Sequence, residues 1–208
     1  MTAGQTSVGS NGYQNLLFPL DNMYITQGEG GTGSHEGTYN MDFSGWGANG
    51  KIYQCPYYAP CDLRLQRRTG SGYLWVSINP VNYVDGTLDY ITIDVAHDDD
   101  RTKQAGDIVY QGQVLGHTGT YGNVTGDHVH ISIGKGNNND LITNQYGHSM
   151  VSNPYHIYNA MGVNDTILTR PLNYNWQYFT PTPTPPIPPI GYTRKSHFKF
   201  YLYRKDKN

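Results

Sequence analysis

One eight-residue stretch, Gly126-Asp127-His128-Val129-His130-Ile131-Ser132-Ile133, constrains the fold more than any other. Val129, Ile131 and Ile133 alternate with His128, His130 and Ser132, the period-2 pattern of a strand with one buried face. Successive strand side chains point to opposite faces. The three β-branched residues therefore need a core to cover them, and both histidines share the other face. Two imidazoles so placed can bind one metal together, or one can bind it while the other moves a proton beside it. Two polar residues on a solvated face is the plainer reading.

The same alternation recurs from Tyr90 to Ala96, where Ile91, Ile93 and Val95 alternate with Tyr90, Thr92 and Asp94, and this strand delivers His97 at its end. Strand regions are also expected at Tyr57 to Leu65 and Tyr73 to Ile78, with a short strand after Asp107. At Asn40-Met41-Asp42-Phe43, Met41 and Phe43 point one way and Asp42 the other. No segment shows a helix-period stripe as clear as these runs, although Pro154 can open one short helix over 154–163. With 25 Gly, 19 Tyr and only 14% charged residues, the chain reads as an all-β domain, mainly antiparallel sheet with short helical segments.

The organisation follows from shifts in composition. Residues 1–15 form a polar N-terminal arm, and Leu16 to Leu20 is an apolar anchor that opens a domain over 16–178. Residues 179–190 are a proline-rich linker; Pro181 to Pro189 favours an extended polyproline spacer that cannot join a sheet. Residues 191–208 read as an isolated aromatic strand, which needs a partner because a lone strand is unstable. The net charge of −2 conceals +5 within residues 194–208 and −7 elsewhere, so the tail is expected to have a separate role.

No apolar run reaches the ~20 residues a membrane helix needs, so no membrane insertion is expected. Met1 to Tyr13 lacks the basic and apolar regions of a secretory signal. Cys55 and Cys61 can meet across a turn, but without a secretory route two reduced thiols are the expectation.

The chemistry is carried by separated histidines and one carboxylate. Thr26 to Ser34 contains four glycines, which let backbone approach a ligand closely, and His35 follows. His35, Asp42 and His130 with one water would make a tetrahedral zinc site that keeps an open position. Zinc lowers the pKa of its water and polarises a carbonyl. His128 can then take a proton, and His97 can orient the water or stabilise a tetrahedral intermediate. Each has a plainer alternative: a loop histidine at 35, a turn carboxylate at 42, a strand-end surface residue at 97. His117 reads as structural, and His148, His156 and His197 as background.

Taken in order, the segments His35…Asp42-Phe43-Ser44-Gly45, Ala96-His97, Gly106-Asp107…Gly112-Gln113-Val114-Leu115-Gly116 and Gly126-Asp127-His128-Val129-His130 resemble the lysostaphin-type, or LytM-like, zinc endopeptidases of bacterial peptidoglycan. The match covers about residues 16–158. It implies a LytM-like peptidase domain with one zinc on His35, Asp42 and His130, His128 as general base and His97 as second catalytic histidine. The family's pattern places His and Asp four apart, whereas here they are seven apart, so the Glu36–Met41 loop must bulge and Glu36 becomes a rival ligand. The family's Tyr-x-His-Leu is here Val95-Ala96-His97-Asp98.

The resemblance implies a substrate among peptidoglycan peptides and no nucleic-acid partner. The spacer and strand-like tail, with no secretory signal, point to a bacteriophage protein. The expected site is the virion tail, acting at the host cell wall, with 191–208 docking on another virion protein. The alternatives are an endolysin held in the host cytoplasm until lysis, a non-catalytic structural tail protein on the same fold, and a wall-binding module using the tyrosines.

Overall fold

The computed structural model describes residues 1–21, 23–30 and 33–162. The proline-rich linker, the basic tail and the end of the expected domain, 163–178, lie outside the described residues. In chain order the strands are β1 (Met23–Gln27), β2 (Met41–Gly47), β3 (Gly50–Ile52), β4 (Pro56–Tyr58), β5 (Leu63–Arg68), β6 (Gly72–Ser77) and β7 (Val81–Asn82). They continue with β8 (Leu88–Asp89), β9 (Ile91–Ala96), β10 (Ile108–Val109), β11 (Val114–His117), β12 (Val129–Lys135), β13 (Leu141–Thr143) and β14 (Ser149–Val151). One α-helix, α1 (Ile157–Met161), and a 3-10 turn at Gly33–His35 complete the described elements.

Eight strands form the main sheet in the order β1-β2-β12-β9-β6-β5-β10, with β3 also paired to β2, and every pairing is antiparallel. The all-β, mainly antiparallel class expected from the sequence is the class observed. The strand that carries His130 is β12, near the middle of the sheet, and His128 stands just before its first residue. Its Val129, Ile131 and Ile133 are each at most 1% exposed, and they join Met41, Phe43, Ile93, Val95, Tyr73 and Trp75 in the core. Burying each of those side chains is worth about 1.5–3 kcal/mol. A one-residue slip of β12 would send these side chains to the polar face and bury the histidines instead, so packing fixes which way His130 points.

The core is closed by Leu16, Phe18 and Leu20, by Tyr57 and Leu115, and by Ile157, Tyr158, Ala160 and Met161 of α1. Phe18 meets Phe43 edge-on with ring centroids 5.3 Å apart. The arm before this anchor lies against the domain: Gly4 N–H donates to Gly112 O (2.8 Å) and Ser7 N–H to Gln111 Oε1 (2.9 Å).

Two local expectations are corrected. The region Tyr57 to Leu65 is two strands in different sheets, since β4 pairs with β11 whereas β5 joins the main sheet. Pro60 lies between them and has no N–H to carry a ladder across. The short helix begins at Ile157 rather than Pro154, because Tyr155 N–H is bonded to Ile133 O of β12 (3.0 Å) and holds the chain extended. The hairpin β13–β14 and strand β1 are additions. Cys55 and Cys61 are free thiols. Among the described residues no helix is long and apolar enough to cross a membrane.

Candidate metal centre

Sheet register assembles the centre. His130 of β12 lies directly opposite Asp42 of β2 on one side and Ala96 of β9 on the other. Asp42 and His130 therefore share the polar face across adjacent strands, and β9 ends one residue before His97. The strand approach to His128 is held by a bridge to Gly119, with Gly119 N–H donating to His128 O (3.0 Å) and His128 N–H to Gly119 O (3.1 Å). Gly119 is required here, because a Cβ on it would stand 2.4 Å from His97 O.

His35 arrives from a loop. The 3-10 turn ends at His35, and its carbonyl accepts from both Thr38 N–H and Thr38 Oγ1 (3.1 Å each). Asn40 N–H then donates to Thr38 Oγ1 (3.2 Å). The extra residues between His35 and Asp42 are taken up in this closed turn. The ligand-type atoms of His35, Asp42 and His130 lie within 4.8 Å of one another. Asp42 Oδ1 is 2.8 Å from His130 Nδ1 and 3.3 Å from His35 Nε2, and the two ring nitrogens are 3.3 Å apart. His128 Nε2 stands 3.6 Å from Asp42 Oδ2. The His97 ring lies 4.7 Å from that of His128 and 5.9 Å from that of His130, centroid to centroid. Glu36 is exposed and lies outside the cluster.

Three backbone carbonyls set the tautomers. His35 Nδ1 faces Gly28 O (3.0 Å), His128 Nδ1 faces Gly126 O (2.7 Å) and His97 Nδ1 faces Tyr121 O (2.9 Å). A carbonyl oxygen can only accept, so each Nδ1 carries a proton, and Nε2 is the nitrogen each ring can present to a metal or a water. His35 Nε2, the Asp42 carboxylate and His130 Nδ1 then converge as a donor set suited to zinc, with outer partners of the usual kind.

Burial would raise the Asp42 carboxyl, but hydrogen bonds from His130 and His35 outweigh it and hold Asp42 well below the usual carboxylate range. Burial likewise pulls His130 down, and the Asp42 hydrogen bond and charge override it, so His130 is raised. At His97 burial wins and, with His128 and His130 nearby, keeps the ring below its ordinary value and neutral at pH 7. His97 also adopts a left-handed backbone, φ 75°, which is uncommon for a non-glycine residue and clusters at functional sites.

The centre opens into a cavity of about 600 Å³ lined by Asn40, Ser71, Asn123, Thr125, His148 and Ser149 beside the histidines. A second, of about 270 Å³, meets it at Asp42 and His128. Several supporting residues were not singled out from the sequence. Asp127 accepts from Thr118 Oγ1 (2.6 Å) and Gln54 N–H (2.9 Å), fixing the residue before His128. Asp94 lies on the same sheet face as His130; burial pushes its carboxyl up to about 6, and one of its oxygens has no hydrogen-bond partner. Period-2 patterning did place Asp94 on that face, but nothing in the pattern marked it as buried.

No family model matches the chain. It is 37% identical over 174 residues, 83% of its length, to Morphogenesis protein 1 of Bacillus phage B103, and it spans 46% of that protein. Among solved structures it is similar to a zinc-containing peptidase from Vibrio cholerae, with a TM-score of 0.40 and 17% identity over 71% of this chain and 45% of that one. It is also similar to the catalytic domain of the antimicrobial peptidase lysostaphin from Staphylococcus simulans, with a TM-score of 0.35 and 21% identity over 52% of this chain and 76% of that one.

Proposed function

We propose that the chain is a zinc-dependent endopeptidase that cleaves peptide bonds of bacterial peptidoglycan, encoded by a bacteriophage and working from the virion tail at the host wall. The observation that carries this reading is the convergence of His35 Nε2, Asp42 and His130 Nδ1 beside two further histidines, His128 and His97, whose Nδ1 atoms are committed to backbone carbonyls. The name of the Bacillus phage relative supports the phage assignment.

His35, Asp42 and His130 would hold one zinc ion, which when bound polarises the scissile carbonyl and acidifies water. His128 Nε2 takes the proton of the attacking water and passes it to the leaving amine nitrogen. Neutral His97, with Nδ1 committed to Tyr121 O, accepts a hydrogen bond at Nε2 and so aims the water's oxygen at the carbonyl carbon. The two cavities that meet at Asp42 and His128 receive the peptide on either side of the cut bond.

The test is to incubate purified protein with isolated peptidoglycan and follow new amino groups and new reducing sugar ends. New amino groups alone, abolished by a chelator and restored by zinc, are expected. Wall binding with no new amino groups would replace the enzyme with a wall-binding or structural protein.

A further inference from the structure

Two residues far apart in sequence meet behind the centre. Glu29 follows Gly28, whose carbonyl sets the His35 tautomer, and it is only 3% exposed. Its Oε2 accepts from His156 Nδ1 at 2.5 Å and its Oε1 from Ile157 N–H at 3.0 Å. The second bond supplies what α1 lacks locally, since His156 at the N-cap makes no side-chain cap of its own. On the far side of the same loop, Tyr39 stacks on the His156 ring with centroids 3.8 Å apart and planes 27° apart. The segment is itself moored to β12, the strand of His130, by Tyr155 N–H to Ile133 O (3.0 Å). Residues 155–157 therefore touch both sides of the centre: the strand that carries His130 and the two ends of the loop that carries His35.

We infer that His156 is a positioning residue that latches the His35 loop, through Glu29 and Tyr39, into the geometry that binds metal. The inference rests on the zinc reading above. The physical logic is preorganisation. The loop contains Gly28, Gly30 and Gly33, and Gly30 and Gly33 have φ of 63° and 73°, so its backbone has many alternatives when released. Holding it beforehand removes the ordering cost from the binding step. Outer partners of metal ligands are commonly worth 10–100-fold in affinity. His156 acts one link further out, through Glu29 and Gly28, so the effect expected is at the low end of that range.

The test is zinc affinity of the full chain, measured by competition with a chromophoric chelator, beside thermal unfolding of the metal-free protein. His156 is partly exposed, so its replacement leaves the fold in place. His156→Ala should weaken zinc binding by about tenfold while metal-free unfolding stays within a few degrees of wild type. His156→Asn, which keeps a donor where Nδ1 stands, should recover most of the loss. Unchanged affinity in His156→Ala overturns the latch, as does a loss that Asn leaves unrestored. Wild-type protein that binds no zinc at all overturns the metal reading instead.

Discussion

Replacing His128 by Ala separates proton transfer from metal binding. The His128 ring is 12% exposed at the side chain, with Nδ1 bonded to Gly126 O and Nε2 standing 3.6 Å from Asp42 Oδ2. The hydrogen bonds that hold this stretch to Gly119 are backbone bonds and survive the truncation. His35, Asp42 and His130 keep all their mutual contacts, so zinc should stay. What disappears is the proposed general base, a role typically worth about 10²–10⁴-fold in rate. That corresponds to about 2.7–5.4 kcal/mol of transition-state stabilisation. The assay is release of amino groups from peptidoglycan fragments at saturating zinc, with metal content measured on the same sample. His97→Ala should fall by a comparable factor, and the double variant by little more than the worse single, since in the proposed mechanism the two rings serve one water. A folded His128→Ala protein that has lost its zinc would refute the division of roles between His128 and His130.

Other perturbations probe the supports. Gly119→Ala drives a Cβ to 2.4 Å from His97 O, a backbone atom that cannot easily give way. Urea unfolding of the metal-free variant should show a loss of about 1–3 kcal/mol. The hydrogen bond that His156 donates to Glu29 raises the His156 pKa above its ordinary value. Its stabilisation is therefore full below about pH 6.5 and fades as pH rises through the higher folded value. Thermal unfolding of the metal-free protein against His156→Asn should show the wild-type advantage at acidic pH, and a constant difference across pH would contradict it. Deleting residues 181–208 should leave peptidoglycan cleavage intact and remove the protein from assembled particles; normal incorporation would show that the tail is not the anchor.

The strands that build the centre were legible because each has one face in a core. In β9 and β12 strict alternation separates Ile and Val from Asp, His and Ser, so both identity and orientation could be read. Asp42 was readable for the same reason, flanked by Met41 and Phe43. Short elements with partial burial were not. In β1, Met23 and Ile25 are buried, but the strand merges into the glycine loop. β13 and β14 are three residues each, and most of their residues are partly or fully exposed. The ligand-type residues could be named from side-chain chemistry and order, whereas their tautomers could not. Those depend on the carbonyls of Gly28, Gly126 and Tyr121, and any residue offers a carbonyl. Glu29 and His156 are 127 positions apart, and neither sits in a periodic pattern, so only the fold reveals the pair.

Metal content of the purified chain, beside that of His130→Ala, tests the central claim most directly. About one zinc per wild-type chain is expected, and none in the variant, because His130 Nδ1 is one of the three ligands proposed among the described residues. A wild-type protein without zinc, or a His130→Ala protein that keeps its full complement, would contradict the account.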